Sequence, residues 1–244
     1  MNATLLPAGM LAMGLMLVAA CAAGAPGGGD EARYARLREL MVERQLASRD
    51  ITDPVVLDAM RRVPRHLFVP EGLRDAAYQD SPLPIGHGQT ISQPYIVALM
   101  TQLARAAPGK VALDVGTGSG YQAAVLATIV DKVYSVEILC DLADEARERL
   151  ARLGYDNVEV RCADGFAGWP EHAPYDVIIV AAAPRSVPEP LIEQLAPGGR
   201  LVIPVGGASQ QLLVVEKTED GRIRRFTQGD VRFVPMTGEA ERHR

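Results

Sequence analysis

Three glycines stand at alternate positions, Gly116, Gly118 and Gly120, directly after an apolar, β-branched run that ends on Asp114 and Val115. A helix-like Ala/Val/Leu pattern follows them. A glycine turn between a strand and a helix lets backbone approach a ligand closely, and the helix start behind it offers unpaired N–H groups. Two further acids recur at the ends of the next apolar runs. Glu137 lies near the end of Lys132–Ile138, and Asp164 follows Val158–Cys162. The chemistry on offer is ligand holding by backbone N–H groups and carboxylates. The chain shows no catalytic triad pattern, and no His/Cys cluster has metal-ligand spacing.

Dinucleotide sites carry G-x-G-x-x-G with an acid about twenty residues on for the ribose. Here the glycines run G-x-G-x-G with Asp114 in front of them, a pattern that resembles S-adenosylmethionine (AdoMet)-dependent methyltransferases. On that reading the turn Gly116-Thr117-Gly118 and Gly120 meet the methionine carboxylate through backbone N–H groups. Asp114 or nearby carbonyls support the ammonium. Glu137, with Ile138 beside it, suits the ribose diol, and Asp164-Gly165 the adenine amino group. Taken singly each acid also reads as a solvated strand end. A nicotinamide oxidoreductase on the same type of sheet stands as the alternative from another class.

These groups need a scaffold. Apolar runs at Val111–Val115, Lys132–Ile138, Val158–Cys162, Tyr175–Val180 and Arg200–Val205 alternate with helical patterns at Tyr121–Ala127, Asp141–Leu153 and Glu189–Leu195. Such alternation predicts an α/β, Rossmann-like fold with a mostly parallel, doubly wound sheet. Asp53-Pro54 and Pro94 mark helix starts upstream, giving an N-terminal helical extension. Residues 63–88, dense in proline and glycine, read as an irregular substrate-side segment. At the other end Gln211–Lys217 and Arg222–Phe226 flank Asp220-Gly221 as an antiparallel hairpin, and Val231–Pro235 as a further edge strand. The organisation expected is a leader and glycine-rich spacer over 1–30 and one domain over 31–244. That domain divides into a substrate-side segment (31–108), a cofactor-binding core (109–206) and C-terminal strands (207–244).

Composition agrees. The 244 residues are 48% hydrophobic and 23% charged, enough for a core without metals or disulfides. A formal charge of −5 excludes a basic nucleic-acid surface. Of the three cysteines, Cys140 and Cys162 lie in apolar contexts and read as unbridged, buried small hydrophobes.

Longer stretches carry a sharper likeness. Pro84–Tyr95 (PIGHGQTISQPY), Leu113–Gln122, Asp164-Gly165, Tyr175–Pro184 and Leu195–Gly206 resemble the protein-L-isoaspartate O-methyltransferase family, as do Val63–Pro70 and Val231–Pro235. The likeness runs from about Tyr34 to the C-terminus. It implies AdoMet as co-substrate, no metal, and isoaspartyl-containing proteins and peptides as partners. The free α-carboxyl of the isoaspartyl residue is methylated, and the ester then closes to a succinimide that hydrolyses partly to aspartate. Carried over by position, Ser92 matches the active-site serine, with Thr90 and Ile91 beside it in the substrate-binding segment. Ser92 also lies two residues before Pro94, where it reads equally as a helix cap; the two roles can coexist. An AdoMet enzyme of another substrate class is the runner-up.

Residues 1–25 carry no charge, and Val18-Ala19-Ala20-Cys21 resembles a bacterial lipoprotein processing box, although the n-region lacks Lys or Arg. Because AdoMet is a cytoplasmic metabolite, the expected location is cytoplasmic. The cell envelope is the alternative, with membrane attachment only if the leader is a lipoprotein anchor. A monomer is expected.

Overall fold

The computed structural model describes Met1 and residues 28–242. The apolar leader and Cys21 lie outside the described residues. Helix α1 (Gly28–Met41) begins within the stretch that reads as spacer and runs into a π-helical turn, Val42–Ala47. Helix α2 (Pro54–Arg62) follows, its N-terminus closed by the Asp53 carboxylate, which accepts the Val55 N–H at 2.9 Å. Pro54 fits the first turn because its missing N–H has no partner there anyway.

The segment from 63 to 91 is more regular than its composition suggests. Two 3-10 turns, Arg65–Phe68 and Glu71–Ala76, lead into a two-stranded antiparallel hairpin, β1 (Leu83–Gly86) with β2 (Gln89–Ile91). His87 at its tip has φ +52 between Gly86 at +92 and Gly88 at +71. Glycine adopts that conformation without the steric cost a β-carbon brings, and the hairpin turns through three left-handed residues of which only His87 bears that cost. Helix α3 (Pro94–Leu103) comes next.

The main sheet has seven strands in the order β5-β4-β3-β6-β7-β8-β9. They are β3 (Val111–Val115), β4 (Lys132–Glu137), β5 (Val158–Cys162), β6 (Tyr175–Val180), β7 (Leu195–Gly206), β8 (Gln210–Lys217) and β9 (Ile223–Val231). The first five in that order are parallel, and β7-β8-β9 pair antiparallel. Helices α4 (Tyr121–Ala127), α5 (Cys140–Arg152) and the short α6 (Glu189–Glu193) connect the parallel strands. Successive strand residues face opposite ways: Ala112, Val133, Val177 and Val202 join one core with the N-terminal helices, whereas Leu113, Val136, Ile178 and Leu201 join a second with Trp169, Tyr175 and Leu191. The N-terminal cap is pinned by Arg65. It is fully buried, donates from Nε to the Ala77 carbonyl at 2.7 Å, and lies over the Tyr121 ring. Burial lowers its pKa to about 10.

Two expectations are corrected. Residues 232–236 add no further edge strand; beyond β9 the chain crosses the carboxyl end of β6, where Ala183 N–H donates to Val234 O and Met236 N–H to Ala183 O, at 2.8 and 2.9 Å. The edge is β9, exposed along most of its length. Cys140 and Cys162 are bonded as a disulfide, not free hydrophobes. Their local sequence looks apolar, but Cys140 opens α5 on the surface and Cys162 ends β5 beside it, a long-range pairing that local context does not reveal.

Candidate active site

Strand order reverses at β3, which pairs β4 on one side and β6 on the other. Connections leave such a point in opposite directions and open a crevice beyond the carboxyl ends of the strands. The cavity found there is walled by Val115, Gly116, Gly118, Val136 to Leu139, Asp164, Gly165 and Ala181. His87, Gln89 and Thr90 of the hairpin close one side, and residues 234–237 the other.

The glycine turn is tied to β4 by hydrogen bonds of its own. Gly116 and Thr117 N–H both donate to Val136 O, Gly118 N–H to Glu137 Oε2 at 2.9 Å, and Gly120 N–H to Thr117 O. Those four donors already have partners within the protein, whereas the N–H groups of the α4 first turn lack partners within the helix and can meet a ligand carboxylate. Gly120 precedes α4 at φ +88. A small second compartment lies at that helix start, lined by Thr90, Ile91, Ser92, Gly116 to Ser119 and Tyr121.

Glu137 is 6% exposed. Its Oε2 accepts from Gly118 and its Oε1 from Leu139 N–H at 3.1 Å. A carboxylate has about four acceptor sites, so this buried group keeps acceptor capacity at the cavity wall, as a ribose diol requires. Asp164 accepts Phe166 N–H at 2.9 Å through Oδ1 and Glu239 N–H at 2.7 Å through Oδ2, and it too lines the wall. Between the acids, Ile138, Leu139, Ala182 and Met236 supply apolar surface for a flat base. The residues present fit AdoMet: two acids at strand ends, apolar walls between them, and helix N–H groups at the far end.

Asp114 and Thr117 lie behind this cavity and not in its wall. Asp114 is fully buried; Ser135 Oγ donates to its Oδ2 at 2.8 Å, and Thr117 Oγ1 bonds Ser135 Oγ at 2.6 Å. Ser135 has one proton, and it is spent on Asp114, so Thr117 is the donor in the second bond. Desolvation raises the Asp114 pKa to about 7, against the lowering effect of the Ser135 bond, and the nearby Glu137 charge adds to the rise.

Ser92 is half-buried and lines both the compartment at α4 and a larger groove. Helix α3 is capped at Gln93 without any side-chain bond, so the hydroxyl is left for the groove. Thr90 and Ala181 line all three spaces, the cofactor cavity, the compartment at α4 and the groove. Ile91 is buried beneath them. The groove is completed by Pro82, Gln93, Ile96 and residues 230–234. Sequence reading missed Ala181, Phe233 and Val234 as wall residues. It also missed Gln210, whose amide donates to Phe233 O at 3.0 Å and accepts Phe233 N–H at 2.7 Å. Ala181 carried a signal as the first residue past the carboxyl end of an apolar strand, and Phe233 and Val234 only through the family likeness of Val231–Pro235.

Against known proteins, the model of the protein-L-isoaspartate(D-aspartate) O-methyltransferase (PCMT) family matches residues 36–241. The chain belongs to this family. Curated relatives named protein-L-isoaspartate O-methyltransferase include that of Synechococcus, 59% identical over 83% of this chain and 86% of the relative. A second, from Syntrophobacter fumaroxidans, is 53% identical over 92% and 95%. Among solved structures, a protein-L-isoaspartate O-methyltransferase superposes with TM-score 0.74 at 27% identity, over 85% of this chain and 67% of its own. The PCMT of Plasmodium falciparum, solved with S-adenosyl-L-homocysteine (AdoHcy), gives 0.72 at 29%, over 82% and 98%. AdoMet-dependent methyl transfer is thus this family's chemistry, and among the described residues no acid, histidine or cysteine cluster can hold a metal.

Proposed function

We propose that the chain is a protein-L-isoaspartate O-methyltransferase in which the cofactor lies along the β3–β4–β5 cavity and the isoaspartyl residue enters through the groove beside Ser92. The observation that carries this is the meeting of three spaces at Thr90 and Ala181. A nucleoside, an amino-acid tail and a second substrate each have a compartment that opens on one point. The family membership supplies the acceptor class.

Bound AdoMet supplies a methyl group already activated by a positive sulfur. The acceptor, a carboxylate with pKa near ~4, is ionised at neutral pH, so no strong general base is needed. What remains for the protein is positioning and removal of water. Ser92 donates a hydrogen bond to one carboxylate oxygen and leaves the other aimed at the cavity. Ile96, Phe233 and Val234 line the approach and strip water from it. Glu137 and Asp164 hold the ribose and adenine, and Gly116, Gly118, Gly120 and Gly165 let the backbone come close. Asp114 acts one layer back, by fixing the turn through Ser135, and Thr117, which also bonds Ser135, lines the amino-acid compartment. The methyl ester formed then closes to a succinimide outside the enzyme's own chemistry.

The remaining parts of the proposal concern the whole protein. It acts as a monomer, as one domain over residues 31–244, in the cytoplasm, where AdoMet is found. None of its described helices is long and apolar enough to cross a membrane. Transfer of labelled methyl from AdoMet to an isoaspartyl peptide, with methanol release on base treatment, tests the activity, and the matched aspartyl peptide is the control. Equal labelling of both peptides, or none, refutes it.

A further inference from the structure

The Cys140–Cys162 disulfide has no part in the chemistry above, yet it joins the two segments that carry one wall of the cofactor cavity. Glu137, Ile138 and Leu139 line that cavity, and the next residue is Cys140. Asp164 and Gly165 line it too, and Cys162 is two residues before Asp164. The bridge therefore ties the ribose side to the adenine side, with its Cα atoms 5.0 Å apart. The β4–β5 ladder ends at the Glu137–Cys162 pair, and the last backbone bond across it is Ala163 N–H to Glu137 O at 2.9 Å. Past that point the bridge ties the first residue of α5 directly to the end of β5, beside the Leu139 N–H bond to Glu137 Oε1 at 3.1 Å and the Arg147 bonds from farther along α5 to Val160 O at 3.3 and 3.1 Å. Ile138, 36% exposed, sits on the fastened stretch.

We propose that Cys140–Cys162 is a reversible thiol–disulfide site that sets cofactor affinity, tight when oxidised and weaker when reduced. This rests on the cofactor reading of the cavity. Opening the bridge releases the Ile138–Cys140 stretch, and ordering it again is then charged against binding. Where thiols are kept reduced, a disulfide is usually a sensing or catalytic one and not a structural staple, which fits a protein that works beside cytoplasmic AdoMet.

The chemistry is open to an outside dithiol. Cys140 is exposed and Cys162 half-buried, so an incoming thiolate attacks Cys140 Sγ. The S–S bond breaks, Cys162 leaves as a thiolate, and a mixed disulfide remains on Cys140. The second thiolate of the reductant attacks its own sulfur in that mixed bond and displaces the Cys140 thiolate. Cys140 is the first residue of the 13-residue α5, and a helix N-terminus favours a thiolate leaving group. One protein disulfide and one dithiol become two protein thiols and one disulfide of the reductant, with two electrons and two protons transferred.

The test uses the full chain carrying Cys21→Ser, so that only the pair reports. AdoHcy affinity is measured by calorimetry for the air-oxidised and the dithiothreitol-reduced protein. The oxidised form is expected to bind at least about fivefold more tightly, the lower end of ordinary coupling between two sites. Linkage requires the reciprocal effect: saturating AdoHcy shifts the equilibrium with a dithiothreitol redox buffer toward the disulfide by the same factor, read by thiol alkylation and mass. The added Cys140→Ser/Cys162→Ser pair is expected to match the reduced protein in either buffer. Affinities equal within about twofold, or free alkylation of both cysteines in the air-oxidised protein, overturn the proposal. Absence of AdoHcy binding in both forms is a different result, which removes the cofactor reading and the coupling with it.

Discussion

A serine hydroxyl that bonds a carboxylate contributes about 1.5–3 kcal/mol when the acceptor is charged. Removing it with Ser92→Ala is therefore expected to slow turnover on an isoaspartyl peptide by roughly tenfold to a hundredfold, with AdoHcy affinity unchanged by calorimetry. Wild-type turnover in that variant sinks the assignment. Asp114 makes a different prediction. Its carboxyl titrates at about 7 in the folded protein, raised chiefly by burial, against an ordinary value of 3.8. Between those values the folded state holds a proton that the unfolded state has lost, so stability falls as pH rises from 4 to 7. Asp114→Asn removes that titration. The stability difference between pH 5 and pH 8, from urea unfolding, is expected to shrink in the variant by an amount on the order of a few kcal/mol; an unchanged difference overturns the assignment. At this scale the sequence was legible in where a residue sits: Glu137 and Asp164 were read at strand ends, and both line the cavity there. It was misleading for Asp114, where the motif suggests ligand contact and full burial puts the carboxylate one layer behind.

Among the elements, the parallel strands and their helices could be read because apolar runs buried on both faces leave a continuous signal. The β1–β2 hairpin was not legible. Its strands are short, the first contains Pro84, its turn uses a non-glycine residue at positive φ, and its packing over the cofactor cavity is long-range. The same holds for the disulfide and for Gln210 gripping Phe233, both of which join segments more than twenty residues apart. Close packing between elements also explains Gly165. A β-carbon there runs into Val115 Cγ1 at the end of β3. Overpacking of this sort costs about 1–3 kcal/mol, so Gly165→Ala is expected to lower the melting temperature and to push Asp164 out of the cavity wall, weakening AdoHcy binding. A variant that binds AdoHcy like the wild type refutes the second part.

The whole molecule is a sheet whose two ends behave differently. On one side lie the acids; on the other, the chain leaves β9, crosses the end of β6 and returns to the acids, where Glu239 N–H reaches Asp164. Met236 and Ala240 are buried along this return, so the C-terminal residues form part of the cofactor site although they are remote from it in sequence. Deleting residues 238–244 is expected to weaken AdoHcy binding by about tenfold, since a charge-assisted bond and apolar contact go together. The melting temperature in the absence of ligand should change little. Unchanged affinity after the deletion refutes this role. The mostly parallel, doubly wound sheet could be anticipated from the alternation of elements, but the Glu239–Asp164 bond could not, because nothing local in Gly238–Glu241 points to Asp164.

That tail bond has a consequence for the protein's own shelf life. Asp164 is followed by glycine, the neighbour that least hinders attack of a backbone nitrogen on an aspartyl side chain. The attack requires the Asp164 carboxyl carbon to swing onto the Gly165 nitrogen. With one oxygen tied to Phe166 N–H and the other to Glu239 N–H, the side chain is held away from that path. An enzyme that mends isoaspartyl damage thus shields a damage-prone dipeptide at its own centre, and peptide mapping after prolonged warm storage should find Asp164 intact in the full chain and isomerised once residues 238–244 are gone.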